Sequence, residues 1–434
     1  MSIAFEDEPS SPFAAPLAFA RARRGRRVGL LTDGFTTPRF ARGLLSGLKA
    51  RADITFGDGR ILFRAVGGLP PDLAEDGEIE RPRLEQTNST LIVGRRVVIK
   101  LLRRKVVGEH PEAEMGRALT ARGFDGIAPM LGEVVREDKD GQVSALAIVQ
   151  GFVANQGDGA SWTIEQLKRT IDELSVHPHQ EGAHFEAYED FATVLGRRVG
   201  QLHQVLEQPG PSPAFAPEHA TASVLQDWHE ALLAQLAAAL AVVSEHGAVA
   251  PRLAAVSQLR PRLAEVVRTI LEAAEGLVLT RIHGDLHLGQ VLVSAGDVVL
   301  IDFEGEPNKS LEQRRAKTSP LRDVAGELRS FDYAAAIAAR ESRIASGGLG
   351  EARAAALLDE FRQVAQTRFL RGYEEGRGRR LSACETRVLL VFALEKAAYE
   401  ISYEAANRPD WIEIPLAGLE SLLARLLSGD GNGH

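Results

Sequence analysis

The chain has 434 residues, of which 44% are hydrophobic and 25% are charged, values typical of a soluble globular protein. This length is too great for one hydrophobic core, so we expect two or three subdomains. The net charge of −8 argues against a nucleic-acid-binding protein, which would show a basic face. No apolar run is long enough to span a bilayer. The single cysteine, Cys384, excludes an internal disulfide and favours a cytoplasmic location.

The pattern of apolar and turn residues divides the chain into three parts. Residues 1–82 alternate short strand-like and helical pieces, carry no catalytic motif and are expected to form a subdomain of their own. Residues 83–153 have the order strand, strand, helix, strand, strand, which is that of the small lobe of a kinase. Residues 154–434 are mainly helical apart from Val291–Phe303. The sequence therefore predicts an α+β protein with two lobes and an additional N-terminal subdomain.

The segment His283–Gln290 carries the strongest chemical signal. Phosphoryl transfer needs a carboxylate that accepts or orients the proton of the attacking hydroxyl, and oxygen ligands that hold magnesium against the phosphates. Asp285 can be this carboxylate, and Gln290 offers an amide oxygen five residues later. Asp302 returns to the same place because its strand pairs back on the preceding strand. Protein kinases have a similar arrangement, in which Asn stands in place of Gln290 and Gly in place of Glu304.

Two other interpretations of this segment stay open. The pattern His-x-Asp-x-His, formed by His283 and His287, can bind a transition metal. Alternatively, the segment is a buried hairpin whose polar residues only form turns, although this would leave five polar side chains in an apolar context at a cost in free energy. A kinase is favoured because a second kinase-like motif lies upstream.

This second motif is a strand, Val97–Lys100, that ends in lysine, with Glu114 in a helix fourteen residues later. In kinases such a lysine contacts the phosphates and pairs with a helical glutamate. No Gly-rich loop precedes the strand. A polar segment stands in its place, and it either covers the phosphates with hydroxyls and backbone amides or forms a plain hairpin turn. Its candidate nucleotide-binding residues are Gln86, Asn88, Ser89 and Thr90.

The adenine is expected to lie against the linker that follows the next apolar strand. Backbone groups of Gln150, Phe152 and Val153 can hydrogen-bond the base there. Asp158, a few residues further on, can reach a ribose hydroxyl or cap the following helix, and its position favours the cap slightly.

Five motifs together resemble the bacterial maltokinase family, which has the protein-kinase-like fold of aminoglycoside phosphotransferases. These motifs occupy residues 85–90, 157–159, 283–290, 301–307 and 407–411. The resemblance spans nearly the whole chain. Residues 1–82 resemble the family's N-terminal cap, and residues 28–33 resemble the junction in enzymes where trehalose synthase is fused to maltokinase.

The resemblance implies a definite reaction. Maltose and ATP would give maltose 1-phosphate and ADP, feeding α-glucan or glycogen synthesis, with a trehalose synthase as a candidate partner. ATP and Mg²⁺ would be the cofactors. Asp285 would be the catalytic base, Gln290 and Asp302 the magnesium ligands, and Lys100 with Glu114 would order the phosphates.

The predicted substrate site includes a helix near residues 392–405 that is similar to the family's sugar-side helix. Charged groups beside aromatic rings suit the hydroxyls and apolar ring faces of a sugar, and helical spacing places four such side chains on one face. The alternative is a partly buried helix whose tyrosines pack in the core while Lys396 and Glu400 form an ordinary ion pair. The predicted substrate residues are His287, Glu304, Glu395, Lys396, Tyr399, Glu400 and Tyr403.

Two other functions stay open beside maltose phosphorylation. Ala393 stands where some maltokinases have an acidic residue, and related glucosamine kinases carry Gln there and Asp at the position of Glu395. A kinase for glucosamine or an aminoglycoside would need clustered carboxylates, for which Glu395, Glu400 and Glu404 are candidates. A non-catalytic module that partners a glucan enzyme is the third alternative, and the intact catalytic motifs argue against it.

Overall fold

The protein is described by a computed structural model that covers residues 3–4, 17–18, 32–70, 73, 78–82, 88–177, 184–210, 212–244, 250–342 and 350–428. The chain divides into two compact units, Met1–Ala154 and Asn155–His434. The first unit is mostly antiparallel sheet and the second is mostly helix. The described helices include none that is both long enough and apolar enough to cross a bilayer.

The described residues of the first unit form a large antiparallel sheet, a small sheet of two-residue strands and two helices. The small sheet has the strands β1 (Ile3–Ala4), β2 (Leu17–Ala18) and β3 (Thr32–Asp33). The large sheet consists of β4 (Asp53–Phe56), β5 (Gly59–Ala65), β6 (Ile79–Glu80), β7 (Ser89–Val93), β8 (Val97–Leu101), β9 (Met130–Glu137) and β10 (Val143–Gly151). Its strand order is β4-β5-β9-β10-β8-β7-β6. The helices are α1 (Pro38–Ala50) and α2 (Pro111–Ala121).

One face of the large sheet packs on α1. Leu91, Val97 and Ile99, which are all 0% exposed, share an apolar cluster with Ala41 and Leu48 of the helix. Because side chains alternate along a strand, Lys100 lies on the other face. Strand β5 pairs with β9, so described parts of residues 1–82 and 83–153 belong to one sheet. A separate N-terminal cap with a boundary at residue 82 stays a prediction.

The second unit contains nine helices and two short antiparallel strand pairs among the residues that the structure describes. The helices are α3 (Gly159–Val176), α4 (Glu186–Glu207), α5 (Ala222–Ser244), α6 (Ala250–Glu272), α7 (Leu311–Arg315), α8 (Leu321–Glu341), α9 (Glu351–Arg377), α10 (Ala383–Asn407) and α11 (Glu413–Ser428). The strands are β11 (Glu218–His219), β12 (Val278–Leu279), β13 (Val291–Ser294) and β14 (Asp297–Leu300), paired β11-β12 and β13-β14. Four 3-10 turns occur in the described chain, at Gly34–Thr36, Pro213–Phe215, Leu288–Gln290 and Pro409–Trp411.

Glycines spaced four residues apart bring α4 and α9 into backbone contact. A Cβ atom added at any of them would lie between 2.0 and 2.3 Å from a carbonyl oxygen of the other helix, far inside van der Waals contact. This approach places the ring of His203 in α4 beside Tyr373 in α9, with 3.0 Å between Nδ1 and the hydroxyl oxygen. The four positions are Gly196, Gly200, Gly372 and Gly376.

Candidate active site

The strand pair β13-β14 determines where the predicted magnesium ligands lie. The connecting turn contains Ala295 and Gly296, with φ angles of 49° and 81°. The pairing brings Ile301 N to 3.0 Å from Gln290 O, so that Asp302 lies beside Gln290. Asp302 itself has a φ of 67°. This left-handed conformation is uncommon outside glycine, and residues held in it are concentrated at functional sites.

Asp323 of α8 anchors the backbone of the predicted catalytic loop, residues 283–290. Its two carboxylate oxygens accept hydrogen bonds from His283 N at 2.8 Å and Gly284 N at 2.9 Å. His203 Nε2 lies 3.1 Å from the first of these oxygens. Burial alone would raise the pKa of Asp323. The hydrogen bond with His203, the electrostatic effects of His203 and His283 and the hydrogen bond from Gly284 N together hold this pKa below its ordinary value. Asp323 was not among the predicted site residues, because it lies in a helix with other acidic residues and no motif distinguishes it from them.

The two loop histidines have structural contacts. His283 Nε2 donates to Ile301 O at 2.8 Å, Asp285 N approaches His283 Nδ1 at 3.4 Å, and the His283 ring lies on Phe303 at a centroid distance of 4.5 Å. His287 Nδ1 accepts from Gly289 N at 3.1 Å. Burial lowers the pKa of His287. Because both nitrogens of His283 are engaged with the backbone, the His283–His287 pair is poorly arranged to bind a transition metal.

Lys396 of α10 lies between two carboxylates. Its ammonium is 3.6 Å from Asp285 Oδ1 and 3.4 Å from Glu306 Oε1, and it lies 5.2 Å from the centre of the Tyr399 ring. Burial opposes the charge, but Glu306 and Asp285 raise the pKa of Lys396 above its ordinary value. Glu306, which also pairs with Lys309 at 3.1 Å, was missed by the sequence analysis.

The predicted sugar-side helix presents part of its expected face to solvent. The rings of Tyr399 and Tyr403 stack with centroids 6.3 Å apart, and Tyr403 is 43% exposed. Asn308 Nδ2 donates to the Tyr399 hydroxyl at 3.1 Å. Glu400 is placed differently, since it is buried and accepts from Arg329 Nη2 at 2.8 Å. The structure thus brings Lys396 and the two tyrosines together and turns Glu400 towards the interior.

The other two acidic residues suggested for an amine are also paired with arginines. Glu395 Oε2 lies 3.0 Å from Arg322 Nη1. Glu404 is 1% exposed and bonds to Arg408 at 2.7 and 2.9 Å. Glu304, by contrast, belongs to the loop after β14, where its backbone N donates to Asp302 O at 2.8 Å.

Lys100, the lysine predicted to bind phosphate, pairs with a glutamate about half a helical turn away from Glu114, which was its predicted partner. Lys100 Nζ lies 2.8 Å from Glu112 Oε2, and Glu114 lies two residues further along α2, also buried. Residues two apart on a helix point to different sides, and the strand-then-helix pattern of the sequence could not distinguish between these two glutamates. Gln150 Nε2 is 3.5 Å from the other oxygen of Glu112.

The remaining predicted nucleotide residues occupy the strands and the end of the first unit. Thr90 is the cross-strand neighbour of Lys100, and Ser89 Oγ accepts from Arg103 Nε at 2.7 Å. Asn88 directly precedes β7, whereas Gln86 lies outside the described residues. Phe152 N donates to Arg96 O at 2.8 Å, and Val153 follows it half-buried. In the second unit Asp158 caps α3, accepting from Ser161 N at 2.9 Å.

A family model for phosphotransferase enzymes matches residues 79–306 of the chain. The chain belongs to the phosphotransferase enzyme family. This phosphotransferase is 30% identical to a glucosamine kinase of Mycolicibacterium smegmatis over 350 residues, which are 79% of each protein. It is 28% identical to a glucosamine kinase of Streptacidiphilus jiangxiensis over 379 residues, 85% of this chain and 78% of that protein.

This phosphotransferase has the same fold as a kinase of known structure. A glucosamine kinase in complex with glucosamine, ADP and inorganic phosphate aligns with a TM-score of 0.70 at 23% identity, covering 95% of this chain and 88% of the other. The expected α+β, aminoglycoside phosphotransferase-like fold is thereby confirmed.

Proposed function

We propose that this phosphotransferase is an ATP-dependent, Mg²⁺-requiring sugar kinase whose acceptor is glucosamine. The observation that carries the proposal is that two curated relatives, similar over most of their length, are both glucosamine kinases. The comparisons thus favour the amino-sugar alternative over the maltose that the motif resemblance suggested.

In the proposed reaction Asp285 is the catalytic base that accepts the proton of the attacking sugar hydroxyl. Asp323 fixes the backbone on the N-terminal side of Asp285. The ammonium of Lys396 lies 3.6 Å from the Asp285 carboxylate. Preorganised positioning of this kind supplies most of the catalysis in phosphoryl transfer. Lys100, ordered by Glu112 at 2.8 Å, is assigned to the phosphates of ATP.

Gln290 and Asp302 fit a magnesium site. Both offer oxygen donors, which Mg²⁺ prefers, and the backbone bond from Ile301 N to Gln290 O holds the two residues side by side. When bound, the ion would neutralise charge on the phosphates. The left-handed φ of Asp302 supports a functional role for this residue.

The acceptor amine is assigned to Glu306. The three candidate carboxylates of α10, Glu395, Glu400 and Glu404, are each engaged by an arginine, whereas Glu306 lies beside Lys396, next to the proposed base. A glucosamine ammonium could share Glu306 with Lys309, whose side chain is 42% exposed and able to move aside.

Maltose is the second candidate because of one feature of the site. A charged Lys396 next to Asp285, with the Tyr399–Tyr403 stack beside it, suits a neutral sugar that offers hydroxyls and apolar ring faces. A trehalose synthase partner and a role in glycogen synthesis would follow only from this activity.

The test is a panel of acceptors assayed for ADP formation, with the product read by ³¹P NMR. We expect glucosamine to give the highest kcat/KM and a phosphate ester of glucosamine. A higher kcat/KM for maltose, with an anomeric phosphate, would replace glucosamine by maltose. Loss of the signal in Asp285→Asn is the control that assigns the activity to this site, and absence of ADP with every sugar would overturn the proposal.

A further inference from the structure

A fully buried glutamate lies directly beneath the catalytic loop. Glu327 of α8 is 0% exposed, and no cation pairs with it among the described residues. Its Oε2 atom is buried and has no hydrogen-bond partner in the described chain. Within the described part of the chain, the charged and titratable groups that interact electrostatically with it are Asp323, one helical turn earlier, and Tyr188 of α4. The hydroxyl oxygen of Thr163, in α3, lies 3.0 Å from the hydroxyl oxygen of Tyr188.

Glu327 is connected to the loop through Ser330. Ser330 Oγ lies 3.0 Å from Glu327 Oε1 and 2.8 Å from Glu327 O, and it accepts a hydrogen bond from Leu288 N at 3.3 Å. Leu288 opens the 3-10 turn that ends at Gln290. The helix lies tight against this part of the loop, since a Cβ atom on Gly326 would be 2.6 Å from Leu286 O.

The hydrogen bonds around Ser330 are complete when Glu327 carries a proton. Glu327 Oε1–H can then donate to Ser330 Oγ, whose own hydrogen goes to Glu327 O while its second lone pair accepts from Leu288 N. An ionised Glu327 would draw the Ser330 hydrogen to itself. It would also place a second negative charge next to Asp323, and no cation among the described residues pairs with Glu327 to compensate it, which is costly in a dry interior.

We propose that Glu327 is a positioning residue for the catalytic loop, that it acts as a neutral acid through Ser330, and that its ionisation limits the reaction at alkaline pH. This inference rests on the proposed kinase function, because the loop it positions carries Asp285 and Gln290.

The electrostatics agree with the geometry. Burial, reinforced by the charge on Asp323, raises the pKa of Glu327 to about 8. The stability that the neutral acid contributes is fully present below the ordinary carboxyl pKa of 4.5 and is lost as the pH rises through about 8. Ionisation therefore falls in the range where it can be measured with folded enzyme.

The experiment compares wild type with Glu327→Gln, which keeps the shape and a donor but cannot ionise. ADP release at saturating ATP and glucosamine is followed from pH 6 to 10, and Tm is measured over the same range. The amine of the substrate titrates identically for both enzymes, so the difference between their profiles is diagnostic. Glu341→Gln, on the same helix and exposed, is the matched control.

We expect Glu327→Gln to restore activity on the alkaline side, moving that limb of the kcat profile up by at least one pH unit and flattening the fall of Tm. Glu341→Gln should change neither profile. Glu327→Leu, which cannot hold Ser330, should lower kcat at every pH. The proposal is overturned if the Gln variant flattens the Tm profile but leaves the alkaline limb in place, or if the Leu variant turns over like wild type.

Failure of the proposed acceptor has a different signature. No glucosamine phosphate would then form with either enzyme, and the two pH profiles would be compared with the sugar that supports the fastest ADP release. An unchanged alkaline limb with glucosamine phosphate formed would reject the role of Glu327 alone.

Discussion

The ammonium of Lys396 lies 3.6 Å from the carboxylate of Asp285, although the two residues are far apart in the sequence. Helix α10 thus contributes directly to the surroundings of the proposed base. The first prediction concerns this contact. Lys396→Met keeps the apolar stem and removes the ammonium. Because the sugar hydroxyls would lose a charged hydrogen-bond donor beside Asp285, the KM of the acceptor should rise at least tenfold (~1.4 kcal/mol) with little change in the KM of ATP.

Lys309→Met is the matched control for this variant. Lys309 also pairs with Glu306 but is 42% exposed, and exposed pairs contribute little. Its acceptor KM should stay within about twofold of wild type. If Lys396→Met instead lowered Tm and weakened both substrates alike, α10 would be structural and the acceptor would bind elsewhere.

Asp285→Asn is expected to lower kcat by about 10²–10⁴-fold or more, because the amide cannot accept the proton of the attacking hydroxyl. The affinity for ATP, measured by isothermal titration, should hardly change because the phosphate contacts remain. Turnover close to that of wild type would remove Asp285 from the role of base.

The 2.8 Å contact between Lys100 and Glu112 predicts a difference between two neighbouring glutamates. Glu112→Gln should weaken the charge-assisted hydrogen bond to Lys100 and raise the KM of ATP about tenfold. Glu114→Gln should have the smaller effect on the same constant. The reverse order would show that the helix pairs with Lys100 through Glu114 in the working enzyme.

Asp323→Asn should lower both kcat and Tm at neutral pH, because an amide cannot accept from His283 N and Gly284 N together. The lowered pKa of Asp323 determines how its contribution to stability changes with pH. The stabilising contribution of the carboxylate is present above the ordinary value of 3.8 and is lost as the pH falls through the lower folded value. The Tm difference between variant and wild type should therefore shrink in acid.

The matched control is Asp359→Asn on α9, whose carboxylate is 67% exposed and pairs only with the neighbouring Arg362 among the described residues. It should leave Tm and kcat unchanged. A Tm gap for Asp323→Asn that stayed constant down to pH 3 would contradict an ionised Asp323.

Removal of metals should show whether the activity requires magnesium or zinc. Activity should require Mg²⁺ or Mn²⁺ and survive a zinc-selective chelator, because both nitrogens of His283 are already engaged with the backbone. Steady-state rates after chelation and readdition are the measurement. Recovery of activity with zinc alone would restore the two-histidine site as an alternative.

The features that sequence reasoning predicted best are local. The turn between β13 and β14 is encoded by adjacent residues, and so is the cap that Asp158 forms on α3. The fold also followed from motifs in fixed order. The contacts of Asp323 with His283 and of Glu400 with Arg329 join residues 40 and 71 positions apart. They depend on how helices pack, which no short-range pattern reports.

The backbone contact between α4 and α9 makes the reaction centre sensitive to positions that no ligand touches. At each of the four glycines, even one added methyl group would press on a carbonyl of the facing helix. The helices would have to separate, and His203, wedged between Tyr373 and Asp323, would lose its place. Selection for catalysis is therefore expected to restrict these four positions, and a search for inactivating mutations should find them in the contact between α4 and α9.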